Sequence, residues 1–265
     1  MPTAQLNGIT LHFEQIGDGP RLLVFNGSGA TIASSRPMLD QLASRFTVLA
    51  ADQRGLGRSS IPDSATMADY AADGEALLDH VGWDTCAVYG ISFGGMVAQE
   101  FAVTWPERVD RMALLCTSPG GAGGSSYPLH TLATMEPSAR RRQMRLNLDT
   151  RFTDDWLAAH PDTLRMVEAI ESSTGSEKSA EQVRGETLQL LARSQHDVYD
   201  RLHRIACPTF VACGRYDGIA PPANSEAIHS QIAGSRIEHY EGGHLFMYQD
   251  RRAWSDIVEF LASPE

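Results

Sequence analysis

A serine stands between closely spaced glycines in the hexapeptide GISFGG, which occupies positions 90–95. A serine nucleophile must project its hydroxyl from a sharp turn with strained backbone dihedrals, so the residues two positions away on either side need almost no side chain. Gly90 and Gly94 meet that need around Ser92. Because the hexapeptide lies between a predicted strand and a predicted helix, the pattern predicts a catalytic serine at a strand-to-helix turn.

The same turn would supply a donor for a developing oxyanion. The backbone N–H of Phe93 would lie in the first turn of the helix, where unpaired donors and the helix dipole favour negative charge. The second donor is expected from the loop after an early strand, here NGSG at positions 26–29, with the N–H of Ser28 as the candidate. A plain tight turn is the alternative interpretation of such a glycine-rich loop.

A serine hydroxyl is a poor nucleophile at neutral pH and needs a base, which a carboxylate must hold in the right tautomer. Asp217 in GRYDGIAPP and His244 in EGGHLFM each follow a predicted strand. Both loops would therefore lie at the carboxyl ends of strands, where an open α/β sheet builds its sites. An Asp before Gly is commonly a turn residue, and eight other histidines are present. The order Ser92, Asp217, His244 at successive strand ends nevertheless predicts a catalytic triad.

Short apolar runs alternate with segments of helical period, the pattern of a parallel sheet wrapped by helices. Predicted helices lie near positions 37–44, after Thr66, and in the segments SFGGMVAQEFAVTW, PPANSEAIHSQI and DRRAWSDIVEFLAS. The predicted strands are LHFEQIG, RLLVFNG, FTVLAAD, TCAVYG, RMALLCTS, CPTFVACG and SRIEHYEG.

The alternation breaks at PGGAGGSS, positions 119–126, which has the composition of a linker and predicts an exit from the sheet. From Tyr127 to about His203 the sequence is helical and polar, without strand-like runs. We therefore expect a core domain formed by residues 1–118 and 204–265, with a helical cap, or lid, formed by residues 119–203.

The chain has 265 residues, 42% of them hydrophobic, which suffices for one large domain with a sizeable core. Its formal net charge of -11 argues against a nucleic-acid or anionic-membrane partner. No run of about 18 apolar residues occurs, and the first residues do not resemble a secretory leader, so a soluble, cytoplasmic protein is expected. The cysteines lie in apolar runs without a Cys-x-x-Cys pair, which favours free thiols over a disulfide or zinc site. They are Cys86, Cys116, Cys207 and Cys213.

The segments NGSGA, DQRGLGRSS, GISFGG, WPERVDRMALLCTS, GRYDGIAPP and EGGH together resemble signatures of the α/β-hydrolase superfamily in their usual order. Within it, GISFGGMVAQEFA with RLLVFNGSGA is similar to intracellular enol-lactonases and medium-chain polyhydroxyalkanoate depolymerases. The resemblance implies an α/β-hydrolase fold, with a mostly parallel eight-stranded sheet flanked by helices and a helical lid over the site. It also implies a structural turn held by a pair between Asp52 and Arg54.

Two departures from the family pattern bear on the chemistry. Many relatives have His-Gly where this chain has Asn26-Gly27, so the hydrogen bonds of the oxyanion loop can differ from those in the relatives. Dehalogenases and epoxide hydrolases of the superfamily carry an aspartate as nucleophile, and Ser92 excludes that chemistry here.

These observations predict a serine hydrolase of the carboxylesterase or lactonase type, which acts on a small-molecule ester or lactone through an acyl-enzyme and needs no metal or cofactor. Gly27, Met96 and Tyr127 are the predicted substrate contacts, with Phe93 as a further apolar wall. A carbon–carbon bond hydrolase, a thioesterase or amidase, and a non-catalytic ligand-binding homologue remain alternatives.

Several features stay open at the level of sequence. They include the acyl length of the substrate and the oligomeric state, for which a homodimer is one of the alternatives. The cluster from Arg140 to Arg145 is expected to be a solvated helix face, although it could attract an acidic substrate. His196 and Asp197 could face either the pocket or the surface.

Overall fold

An eight-stranded sheet runs through the computed structural model, which describes residues 2–174 and 178–263, with the backbone alone for residues 173 and 174. The strand order is β1-β2-β4-β3-β5-β6-β7-β8. The pairs β1–β2 and β2–β4 are antiparallel, and all other neighbours are parallel. The strands are β1 (Thr3–Leu6), β2 (Ile9–Ile16), β3 (Arg21–Phe25), β4 (Thr47–Ala51), β5 (Cys86–Ile91), β6 (Val109–Leu115), β7 (Thr209–Gly214) and β8 (Arg236–Tyr240).

Helices cover both faces of this sheet and bury two hydrophobic clusters against it. The first cluster joins helices Met67–Val81, Phe93–Thr104 and Pro222–Gln231 to one face, and the second joins helices Arg36–Ala43, Phe246–Gln249 and Arg251–Ala262 to the other. Short 3₁₀ turns lie at Pro106–Arg108, Gly121–Gly123, Leu129–Thr134 and Tyr199–Arg204. The helices are α1 (Arg36–Ala43), α2 (Met67–Val81), α3 (Phe93–Thr104), α4 (Pro137–Leu148), α5 (Asp154–Ala159), α6 (Pro161–Thr174), α7 (Ala180–Ser194), α8 (Pro222–Gln231), α9 (Phe246–Gln249) and α10 (Arg251–Ala262).

Local signals explain where α2 begins and ends. Thr66 and Asp69 form a capping box, in which each side chain accepts a hydrogen bond from the other residue's backbone N–H. At the other end Gly82 has φ +72°, the left-handed conformation that terminates helices and that glycine adopts without strain. The predicted helix start after Thr66 is therefore confirmed.

Helices α4 to α7 lie between β6 and β7 and carry a small cluster of their own around Phe152, Leu157 and Val167. The chain leaves and re-enters the core at one place, because the N–H of Val198 donates to the carbonyl of Pro119 over 2.9 Å. The predicted cap, residues 119–203, covers this insertion, and residues 175–177 within it lie outside the described residues. Helix α7 approaches the core so closely that a side chain at Gly185 would overlap the backbone of Gly55.

The strand β1 was not among the strands that the apolar pattern predicts. It has four residues and only one neighbour in the sheet, so its sequence TAQL lacks the apolar run of an interior strand. All seven predicted strands are present, and the eight-stranded α/β-hydrolase architecture is confirmed.

The predicted pair between Asp52 and Arg54 is wrong, although both residues have structural roles. Asp52 instead lies 2.9 Å from the Nδ1 of His12 and accepts the N–H of Ile32. Arg54 donates two hydrogen bonds, of 2.7 and 2.8 Å, to the carboxylate of Asp73. Asp52 and Arg54 are only two residues apart in sequence, but their side chains have different partners, which come from different elements.

The cysteines are free thiols in the described structure, with Cys86, Cys116 and Cys213 buried and Cys207 half-buried. None of the described helices combines the length and apolar character needed to cross a membrane.

Candidate active site

Ser92 occupies the turn between β5 and α3 and has a positive φ of 53°, which is strained for a residue with a Cβ. The flanking glycines allow the turn to pack. A side chain at Gly94 would overlap the carbonyl of Phe25, and one at Gly90 would meet Ala98 and the backbone of α3. The hydroxyl of Thr117 fixes the turn from below by donating to the Ser92 carbonyl over 2.8 Å.

The three side chains predicted as a triad lie in one hydrogen-bonded row. The Nε2 of His244 is 3.0 Å from the Oγ of Ser92, and the Nδ1 of the same ring is 2.8 Å from the Oδ2 of Asp217. All three residues are buried. With Nδ1–H donating to the carboxylate, Nε2 is the atom left to accept the serine proton, which is the tautomer a general base requires.

The Asp217 carboxylate is held by its own loop. Its Oδ1 accepts the N–H groups of Ile219 and Ala220 over 2.7 and 2.9 Å, which leaves Oδ2 for the histidine. Asp217 follows β7 and His244 follows β8, so both side chains reach Ser92 from the carboxyl edge of the sheet.

The loops of Asp217 and His244 are joined by the segment at the end of α4, residues 147–150. The N–H of Gly218 donates to the carbonyl of residue 147 over 3.0 Å, and the N–H of residue 150 donates to the carbonyl of Tyr216 over 2.8 Å. The N–H of His244 donates to the carbonyl of residue 148 over 2.6 Å. This segment belongs to the insertion, so the insertion contributes to holding the loops of Asp217 and His244.

Neither the backbone N–H of Phe93 nor that of Ser28 has an acceptor among the described residues. The loop that carries Ser28 lies against the nucleophile, since a Cβ at Gly27 would be 3.7 Å from the Cβ of Ser92. Both donors therefore lie in segments that adjoin Ser92, and their role as an oxyanion hole stays a prediction.

A cavity of about 290 Å³ lies beside the nucleophile turn. Of the predicted contacts, Met96 and Tyr127 line it, whereas Gly27 does not. The side chain of Phe93 is not part of the wall either, because it packs edge-on against the ring of Tyr70 in the core at a centroid distance of 5.0 Å.

His196 and Asp197 have different surroundings. His196 is buried and lines the cavity, and burial lowers its pKa to about 3, so its ring is neutral at physiological pH. Asp197 is exposed on the surface.

The arginine cluster from Arg140 to Arg145 does not line the cavity. Arg140, Arg141 and Arg142 are exposed. Arg145 connects α4 to α6 through two hydrogen bonds, of 2.6 and 3.1 Å, to the carboxylate of Glu171.

Sequence reasoning missed three residues around the site: Thr117, Gln189 and Arg193. Gln189 and Arg193 lie one turn apart on α7, so they share a face of the helix. Both are buried, and Arg193 lines the cavity. Their spacing was a usable signal, but only the packing of α7 on the core shows which face of the helix is covered.

Cys116 lies close to the triad, and its thiol is within 4.8 Å of ligand-type atoms of Asp217 and His244. Burial raises the pKa of this thiol well above its ordinary value, so it remains protonated. Asp217 and His244 are hydrogen-bonded to each other, so the group places a protonated thiol beside a bonded carboxylate–imidazole pair.

Comparison with known proteins places these features in a wider context. A family model described as the alpha/beta hydrolase fold matches residues 20–250. The poly(3-hydroxyalkanoate) depolymerase of Ectopseudomonas oleovorans is 28% identical over 89% of this chain and 82% of its own length. The 3-oxoadipate enol-lactonase 2 of Acinetobacter baylyi is 25% identical over 97% of this chain and 94% of its own.

A solved structure shows the same fold. The enol-lactonase from Burkholderia xenovorans LB400 superposes with a TM-score of 0.77 at 22% identity, covering 99% of this chain and 100% of that one.

Proposed function

The chain belongs to the alpha/beta hydrolase fold family, and from that premise we propose that it is a serine hydrolase that cleaves a small carboxylic ester or lactone. The observation that carries the proposal is the continuous row from Asp217 through His244 to the Ser92 hydroxyl. No other arrangement of these groups is needed for acyl transfer, because the nucleophile, base and orienting acid are already within hydrogen-bond reach.

In the proposed first step, His244 removes the Ser92 proton as the oxygen attacks the substrate carbonyl. The N–H groups of Ser28 and Phe93 would receive the negative charge on the carbonyl oxygen. The protonated His244, stabilised by Asp217, then gives its proton to the leaving alkoxide, and the acyl group stays on Ser92.

In the second step water attacks the acyl-enzyme. His244 takes a proton from the water, the tetrahedral intermediate collapses, and Ser92 recovers its proton as the carboxylic acid leaves. In a lactone the leaving alkoxide is part of the same molecule, so a single hydroxy acid is released.

The choice of an ester or lactone is supported by the relatives. One is named for depolymerising a poly(3-hydroxyalkanoate) and another for opening an enol-lactone. Both names describe cleavage of an acyl–oxygen bond, and both relatives match most of this chain.

The test is a panel of nitrophenyl esters of increasing acyl length, together with several lactones, supplied to wild type and to Ser92→Ala. Ser255→Ala is a matched control, since Ser255 is exposed on α10. We expect turnover by wild type and Ser255→Ala, and loss of at least three orders of magnitude in Ser92→Ala, consistent with removal of a nucleophile.

Absence of turnover by wild type would contradict the proposal. Dienoic ring-cleavage products, thioesters and amides, supplied in the same assay, would then identify carbon–carbon bond hydrolysis or another acyl transfer. Equal activity of wild type and Ser92→Ala would exclude the serine mechanism.

A further inference from the structure

Arg193, in the last turn of α7, is buried with its charge unpaired. The residue is only 6% exposed, and its Nε donates a hydrogen bond to the Oγ of Ser126 over 3.0 Å. The terminal nitrogens Nη1 and Nη2 have no hydrogen-bond partner among the described residues. Arg54 provides a contrast, because this similarly buried guanidinium donates to the carboxylate of Asp73 through both Nε and Nη2.

Such a group is costly to the folded protein. Burial of a cation without a partner carries a desolvation penalty that stable proteins normally avoid by pairing. Burial lowers the pKa of Arg193 to about 10, an effect that the Asp217 carboxylate partly opposes, so the guanidinium is still charged at neutral pH. A positive charge and two free donors are therefore present inside the molecule.

Arg193 is one of the residues that line the 290 Å³ cavity, and its two unpartnered nitrogens are themselves buried behind that wall. None of the described residues that line it is acidic. Met96, Leu129 and Leu190 are apolar, whereas serines, Tyr127 and the two histidines supply polar groups. The volume is just below the range of about 300–1,000 Å³ that small-molecule sites occupy. A chamber of mixed polarity with one cation in its lining matches a short acyl chain that ends in an anion.

Ser92 is not itself a lining residue, but two residues that line the cavity, Met96 and Ser118, lie close to it. Met96 is one helical turn after Ser92, and its N–H donates to the Ser92 carbonyl over 3.3 Å. Ser118 follows Thr117, whose hydroxyl donates to the same carbonyl. A substrate with its carbonyl at Ser92 could thus extend its acyl chain along α3 towards Arg193.

We propose that Arg193 binds the distal carboxylate of the substrate, which would be an ester or lactone of a short dicarboxylic acid. The proposal rests on the proposed function, because it takes Ser92 as the site of acyl transfer. Two free nitrogens in a planar fork match the two oxygens of a carboxylate.

The test compares two nitrophenyl esters of the same chain length: the monoester of glutaric acid, which ends in a carboxylate, and the ester of pentanoic acid, which ends in a methyl group. Wild type should have the higher kcat/KM for the glutarate ester. In Arg193→Met the ratio of the two kcat/KM values should fall by about 10- to 100-fold, the loss expected for charge-assisted hydrogen bonds. Succinic and adipic monoesters would measure the preferred chain length.

Arg184→Met is the matched control, since Arg184 is an exposed arginine on the same helix whose partner is the surface residue Asp63. It should leave the ratio at the wild-type value. A wild type that does not prefer the glutarate ester, or an Arg193→Met variant that keeps the preference, would overturn the proposal.

A binding measurement separates this proposal from the hydrolase assignment. Glutarate is titrated by calorimetry into Ser92→Ala and into Ser92→Ala/Arg193→Met, so no turnover is required. Binding to the first and loss of binding in the second would support the carboxylate site even if no ester were hydrolysed. Equal binding to both proteins, no binding to either, or equally tight binding of inorganic phosphate to Ser92→Ala would overturn it.

Discussion

The side-chain oxygen of Gln189 accepts a hydrogen bond of 2.7 Å from the backbone N–H of Gly29. The contact joins α7 of the insertion to the loop after β3, across 160 residues of sequence. Because Ser28 precedes Gly29, the bond fixes the peptide next to a proposed oxyanion donor, and helix α7 thereby takes part in positioning that donor.

Replacement of Gln189 by leucine should lower kcat for nitrophenyl esters by about tenfold, with a much smaller change in KM. The outright loss of one oxyanion donor costs about 10²–10³ in kcat, and a displaced donor should cost less. The variant must retain the wild-type circular dichroism spectrum. Gln195→Leu, an exposed glutamine just after the same helix, is the control. An unchanged kcat in Gln189→Leu would mean that the loop holds its shape without α7.

Asp217→Asn should lower kcat by about 10³-fold or more while the protein remains folded. An asparagine oxygen can still accept the N–H groups of Ile219 and Ala220, but its NH₂ group would face the Nδ1 of His244. The ring would then carry its proton on Nε2, the atom that must accept the serine proton. Steady-state kinetics of the purified variant provide the measurement. Near-normal kcat would remove Asp217 from the triad.

The neutral His196 should make stability depend on pH in the acid range. Burial lowers its pKa from 6.5 to about 3, so the folded protein binds fewer protons than the unfolded chain between these values. The stability that the folded protein gains from keeping His196 neutral is fully present above pH 6.5 and is lost as the pH falls towards 3. Between pH 7 and pH 5 the loss should be about 2 kcal/mol in the free energy of unfolding.

Urea denaturation at the two pH values tests this expectation in wild type and in His196→Asn. The variant should lose about 2 kcal/mol less than wild type over the same interval. Parallel losses in the two proteins would show that His196 ionises without affecting the folding equilibrium.

The features that could be predicted from sequence are those that depend on short stretches of chain. The turn at Ser92 is specified within six residues, because the strand, the glycines and the helix start are contiguous. Asp217 and His244 could be found because a parallel sheet brings successive strand ends to one edge.

What the sequence could not supply depends on packing between distant segments. The partners of Asp52 and Arg54 come from β2 and α2, so the pair between these two residues that the family resemblance implied is not formed. The unpaired state of Arg193 depends on how α7 lies on the core, and no local pattern encodes which arginine is left without a carboxylate. The orientation of Phe93 also depends on packing between distant segments, since its ring packs against Tyr70 and does not line the cavity.

The hydrogen bonds from residues 147–150 to the loops of Asp217 and His244 also limit how this protein can be re-engineered or can diverge. An insertion that only shielded the cavity could be exchanged between homologues as a module, and the exchange would change only the substrate range. Here an exchange that begins before the end of α4 would also remove the supports of the acid and the base. A functional chimera therefore has to keep the backbone of residues 147–150 in place against these two loops, whereas residues of the insertion that line the cavity without supporting the loops, such as Leu129 and Leu190, can vary with specificity.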